Sequence, residues 1–296
     1  MRRPAALLMA VTAAAGLAAC RGDGGTTVGA ADAGGGRPTT TAPGAATDPP
    51  VAAGLVLQIT TGGGFLPPEL SFATLPRFSL YADGRVVVPG PTTLEYPGPA
   101  LPNLLTGTVP ADDVRAAVAA ARAAGVADAP DLRRPPVADA PTTTFVLVDG
   151  GTTHRAEAYA LDIDLEGGPG LAPGQRQGRQ RLRDLVAESE RLGAAAAEPY
   201  RAAAVSVLVR PYSEVDRGGP PVEPEPGEAA WPLGDLAAGG RQQLGGRCLG
   251  FTGADAEVVL AAAGDARSNT RWRSGGEAWA LTFRPELPGV EPCSAP

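Results

Sequence analysis

The sequence predicts an α+β fold: a mostly antiparallel sheet carrying two helices, followed by a small C-terminal α+β module closed by a disulfide. Three observations predict it. Runs of β-favouring residues come in pairs around Asp83-Gly84 and Asp149-Gly150, the dipeptides of tight hairpins. Each pair is followed, sooner or later, by a helical stretch with capping signals. Two cysteines, Cys248 and Cys293, bracket most of the final segment.

The elements follow in order. "GLVLQIT", from Gly54 to Thr60, reads as a strand, and "RFSLYADGRVVVPG" as two strands around a type I′ turn at Asp83-Gly84. "VPADDVRAAVAAARAAGV" reads as a helix. Pro110 stands near its start, Asp112 and Asp113 complement its N-terminal dipole, and Gly125 stops it. Val114, Val118 and Ala121 line one face. The order then recurs. "TTTFVLVDGGTTHRAEAYALDIDL" is a second strand pair, and a helix over 173–193 follows with Leu182, Leu185 and Leu192 as its stripe. This suggests a ββα duplication with both helices on one face of the sheet. "AAAVSVLVR", 202–210, reads as a strand closing that region. A short helix over 254–263 and strands within 270–284 complete the last module.

Composition narrows the chemistry. The chain has 296 residues and is 44% hydrophobic, enough to build a core. Aromatics are only 5%, and the two isoleucines are Ile59 and Ile163. The core must therefore be Ala, Val and Leu around a few large anchors such as Phe78, Phe145, Trp272 and Trp279. Every one of the 25 basic residues is arginine. With no lysine, a P-loop lysine, a Schiff base and a Ser-x-x-Lys acylation site are excluded. A net charge of −7 without a long basic run lacks the footprint of a nucleic-acid binder.

The N-terminus has the three-part layout of an export leader: Arg2 and Arg3, a short apolar stretch, and small residues before a cysteine. The apolar stretch is too short for a helix spanning a hydrocarbon core of ~30 Å. Leu17, Ala18, Ala19 and Cys20 match the lipobox residue by residue, and the leader resembles bacterial lipoprotein signal peptides, in a composition similar to actinobacterial chains. The resemblance covers the leader alone. It implies that Cys20 becomes the mature N-terminus carrying a diacylglyceryl thioether, with an added fatty acyl chain such as palmitate. It also implies a place on the outer face of the cytoplasmic membrane. Two or three acyl chains anchor durably where one does not.

On this reading residues 1–19 are a signal peptide and 20–50 a lipidated cysteine with a Gly/Thr/Pro-rich tether. A chain of that length reaches about 30 Å on average. Residues 51–212 form the α+β domain, 213–230 a Pro/Glu-rich linker, and 231–296 the small module. With Cys20 taken by lipid, Cys248 and Cys293 are left to pair with each other or to stay free. An oxidising compartment favours the disulfide.

Few residues offer catalytic chemistry. His154 is the single histidine, so a two-histidine zinc motif cannot form. It reads as a strand histidine on a polar face. Asp149, in a strand-to-loop context, invites comparison with an aspartic protease, with Asp83 as its pair. A hairpin turn explains both Asp-Gly pairs. Asp162, Asp164 and Glu166 alternate in "YALDIDLEGG" and would share one strand face, a weak oxygen-ligand calcium candidate. The twelfth position of the corresponding loop is Pro173, where a bidentate glutamate is needed.

The resulting expectation is a lipid-anchored, non-enzymatic binding or scaffolding module without a cofactor. Its partners would be the membrane, through Cys20, and an envelope protein or ligand, with no nucleic acid. A carrier of a lipid or other apolar ligand, and a carboxylate-based envelope hydrolase, are the alternatives.

Overall fold

Two mostly antiparallel sheets, the first with two helices on one face and the second with one, make up the described part of the chain. The computed structural model describes residues 54–163, 170–213, 225 and 227–294. Cys20, the leader and the tether lie outside them, as do 214–224 of the Pro/Glu-rich stretch.

The first sheet has the order β6-β5-β1-β2-β3-β4-β7. Its strands are β1 (Leu55–Gly62), β2 (Phe78–Tyr81), β3 (Arg85–Pro89), β4 (Leu104–Thr108), β5 (Thr142–Asp149), β6 (Thr152–Tyr159) and β7 (Glu198–Pro199). The two predicted hairpins, β2–β3 and β5–β6, therefore flank β1. The repeat is imperfect, because β4, from "LLTGT", intervenes between the first hairpin and the helix over Ala111–Ala123. Helices α2 (Ala111–Ala123) and α3 (Pro173–Gly193) share the core on one face. Leu57, Ile59, Phe78, Phe145 and Leu147 meet Ala117, Ala121, Leu182 and Leu185 there. Val114 and Val118 are only partly buried against this core, and Ala117 does more of the sealing than the sequence stripe suggests. A bulge between Leu55 and Leu57 switches faces. Leu55 consequently joins Tyr81, Val87 and Leu104 on the opposite side, where Leu287 covers them.

The hairpin turns differ in kind. Gly150 and Gly151 form a two-residue loop with φ of +57° and +81°, a type I′ turn. Asp83-Gly84 is not the predicted type I′ pair. Ala82, Asp83 and Gly84 make a three-residue loop in which only Gly84 is left-handed, at φ +83°. Asp83 Oδ1 accepts a hydrogen bond from the Arg85 N–H at 3.0 Å, the local bond that lets aspartate initiate such a turn. A Cβ on Gly84 would also lie 2.4 Å from the Val109 carbonyl oxygen, whereas one on Gly150 meets nothing within 4 Å. Gly84→Ala is therefore expected to lose more than the ~1–2 kcal/mol of a left-handed alanine. Gly150→Ala pays the conformational cost alone, and paired urea midpoints check the difference.

The second sheet has the order β10-β11-β8-β13-β12-β9. It comprises β8 (Ala204–Pro211), β9 (Glu228–Ala230), β10 (Arg241–Gln243), β11 (Gly246–Thr252), β12 (Arg271–Ser274) and β13 (Glu277–Pro285). The strand predicted over 202–210 forms, but it does not close the first sheet. As β8 it lies between β11 and β13 of the second. The last residues of the proline-rich stretch also belong here, since β9 pairs in parallel with β12. Helix α4 (Gly253–Gly264) covers one face through Ala256, Val259 and Ala263. Trp272 stands between Trp231 and Phe283, with ring centroids 5.9 and 5.6 Å away. These edge-on contacts suit aromatic quadrupoles and stiffen a core otherwise built from small side chains.

Both sheets lie in one compact unit. The segment after β13 joins them: Leu287 enters the first sheet's outer face, and Cys293 packs with Leu208 and Cys248 of the second. Cys248 and Cys293 form the expected disulfide, their Cα atoms 5.8 Å apart. Among the described residues, no helix is long and apolar enough to cross a membrane.

Candidate functional site

Strand register gathers the candidate surface at one end of the first sheet. Gly62 of β1 lies opposite Thr142 of β5, and Thr142 lies opposite Tyr159 of β6. The chain enters β1 at the other end of that strand, about 25 Å away at the rise of an extended strand.

From Gly62 the chain runs through Gly63 and Gly64 into Phe65, Leu66 and a one-turn helix, α1 (Pro68–Phe72). Phe65 is 90% exposed, Leu66 41% and Leu70 54%. These side chains stand on a fixed base. Phe72 is fully buried against Leu208, Cys248 and Cys293, and Glu69 pairs with Arg210 at 3.2 Å. Gly64, at φ +76°, passes so close to the Asp139 carbonyl that a Cβ would lie 2.8 Å from its oxygen. The apolar knob is thus held in place by its neighbours.

Beside it, on the sheet face away from the helices, Thr142, Glu157 and Tyr159 form one wall of a cleft of about 250 Å³. Leu132, Arg133 and Arg134 form the other. The Arg134 guanidinium lies over the Tyr159 ring, 3.6 Å from its centroid, a cation–π contact. The Tyr159 hydroxyl donates to the Val137 carbonyl at 2.7 Å and accepts from the Ala140 N–H at 3.0 Å. The ring is therefore locked. Neither Arg133 nor Arg134 has a carboxylate partner among the described residues. The nearby acids are held mainly by other groups, although the Arg133 charge also acts on Asp131. Glu157 accepts from Arg155 Nε at 3.0 Å. The Gln175 amide, followed by the Arg133 N–H, holds the Asp131 carboxyl below its usual range.

Behind Tyr159 lies a buried arginine. Arg179 of α3 is 1% exposed and donates to the carbonyls of Tyr159 and Ala160 at 2.9 and 2.6 Å. Its Nε and Nη1 have no hydrogen-bond partner. Burial, followed by repulsion from Arg183, lowers its pKa. It adds positive potential to this end of an acidic chain.

The residues singled out in the sequence are scattered. Strand β6 ends at Tyr159, because Ala160 turns to φ +53° and Arg179 holds the two carbonyls at the turn. Asp162 is consequently not on a strand face as predicted. It lies 3.5 Å from Arg77, while Asp164 and Glu166 lie outside the described residues. Among the described residues, no group of three His, Cys, Asp or Glu side chains is placed to hold a metal. His154 is half-buried on β6 opposite Leu147. Asp83 and Asp149 sit in separate turns, each with its own arginine. Asp83 lies 3.3 Å from Arg85, and hydrogen bonding from Arg122 holds the Asp149 carboxyl below its usual range.

A second polar cluster is sealed between the sheets. Arg284 Nε and Nη2 donate to Glu286 Oε1 at 3.1 and 2.9 Å, and the Ser206 hydroxyl donates to the same oxygen. The Cys293 N–H donates to Ser206 Oγ at 2.7 Å. Arg284 is 3% and Glu286 4% exposed. Tyr200 donates to the Glu286 carbonyl at 2.9 Å, and burial pushes its phenol up to about 12. Ser206, Arg284 and Glu286 are all buried, so the work of this cluster is to fasten the C-terminal segment.

Sequence reasoning missed Phe65 and the Arg133-Arg134 pair. The signal was present: "GGGFLPPEL" puts large apolar residues between glycines and prolines, where a turn has no core to supply, and "DLRRPPV" doubles an arginine in a loop. No family model matches the chain, and comparison with curated proteins finds no match.

Proposed function

We propose that this chain is an envelope lipoprotein, anchored through Cys20 on the outer face of the cytoplasmic membrane, that works as a non-enzymatic binding or scaffolding module. The anchor rests on the lipobox at Leu17–Cys20 behind Arg2 and Arg3. The Cys248–Cys293 disulfide supports it, since such bonds persist in oxidising compartments. The observation that carries the binding role is the exposed Phe65 at the end of the first sheet that also carries the arginine-lined cleft. Large exposed apolar groups with a charged rim mark interaction sites. In a chain of net charge −7, that local positive potential selects a protein segment both acidic and apolar.

The test places a photo-crosslinking benzoylphenylalanine at position 65 of the full-length chain in cells. A discrete adduct in the membrane fraction is expected, absent when the crosslinker replaces the exposed Glu277 at the start of β13. Cys20→Ser is expected to release the chain from that fraction. Equal adducts at both positions would end the binding assignment, and a Cys20→Ser chain still in the membrane would end the anchor.

A further inference from the structure

We infer that the cleft lined by Arg133, Arg134 and Tyr159 is a carboxylate-binding site, taking one small acidic group. The inference rests on reading the chain as a binding module, and it names the chemistry that this surface selects.

Four features define the ligand. First, Arg133 and Arg134 enter the lining from consecutive positions without carboxylate partners. Guanidinium groups bind carboxylates through paired, charge-assisted hydrogen bonds. Arg133 holds a left-handed backbone, φ +42°, an unusual conformation for a residue other than glycine. Second, the stack on the locked Tyr159 ring orders Arg134 before any ligand arrives, so less side-chain entropy remains to be lost on binding. Third, at about 250 Å³ the cleft falls below the ~300 Å³ where pockets for drug-sized molecules begin. It suits a single side chain or a small acid. Fourth, Glu157 is also in the lining. One of its oxygens is occupied by Arg155, but its charge opposes a dianion more than a monoanion. Carboxylate is favoured over phosphate for that reason.

The same carboxylate could come from a free acid or from an acidic protein segment, and the titration separates these sources. Full-length chain in detergent micelles is titrated with para-fluorobenzoate, followed by fluorine NMR. Para-fluorobenzamide and inorganic phosphate serve as competitors. Saturable binding is expected that neither competitor displaces. Arg133→Gln/Arg134→Gln is expected to weaken it at least ~10-fold, with the fold retained and the melting temperature lowered by no more than a few degrees, about what loss of the Tyr159 stack would give. A capped Phe-Glu dipeptide binding ~10-fold more tightly than para-fluorobenzoate identifies a protein segment as the source; equal or weaker binding identifies a free acid. Displacement by the neutral amide or by phosphate, or full binding by the double variant, overturns the site. Failure here together with a specific adduct at position 65 removes the cleft and leaves the binding module standing. Loss of the adduct with intact para-fluorobenzoate binding does the reverse.

Discussion

Glu286→Ala is expected to destabilise the protein by about 3–5 kcal/mol, the usual result of removing one partner from a buried ion pair. The carboxylate that Arg284 contacts at 2.9 and 3.1 Å would be gone, and Arg284 is 3% exposed. The Ser206 hydroxyl would lose its acceptor as well. Arg284 would retain the Ser294 carbonyl at 2.9 Å and the Phe72 ring, which do not neutralise its charge. The Arg284→Met/Glu286→Leu double variant removes both charges and is expected to lose far less than the single alanine. Denaturant melts of the two variants decide it, and equal losses would show that shape matters more than charge here.

The same carboxyl carries a pH dependence. Burial, acting against Arg284 and Ser206, raises the Glu286 pKa above its ordinary value of 4.5. A raised acid binds its proton more tightly when folded. Its contribution to stability is therefore complete below that ordinary value and is lost as pH rises through the folded value. The difference between wild-type and Glu286→Gln stability curves should display that loss.

Opening the disulfide is the second large effect. Cys248 and Cys293 are 45 residues apart, and closing a loop of that length is worth about 4 kcal/mol in the chain-entropy picture. For a folded part of this size that corresponds to about 10 °C in melting temperature. Cys248→Ser/Cys293→Ser should show it, as should wild type in reductant. The loss should be felt at both sheets, because Cys293 and Leu287 belong to one segment that packs on each of them. A fall smaller than about 2 °C would mean that the remaining contacts hold this segment unaided.

How far the sequence reaches is clearest in the elements themselves. Helices α2 and α3 lie where Pro110, Gly125 and the Leu182–Leu185–Leu192 stripe place them, because capping and 3.6-residue periodicity are local properties. Phe78, Phe145, Trp272 and Trp279 are buried, as large side chains in an alanine-rich chain must be. The Cys248–Cys293 pair is expected from the sequence on the reading that lipid takes Cys20, and the structure shows the disulfide.

Tertiary structure decided the rest. "AVSVLVRP" is apolar along nearly its whole length, and Val205, Val207 and Val209 face one core while Leu208 faces another. A strand buried on both faces carries no alternation to say which sheet it joins, and pairing with β11 and β13 settles that. The candidate site is non-local in the same way. Gly62, Thr142 and Tyr159 are far apart in the chain and become neighbours through the register of β1, β5 and β6. Local sequence holds the arginine pair and Phe65 without marking them as a site; strand pairing brought the sheet residues beside them to one end of one sheet.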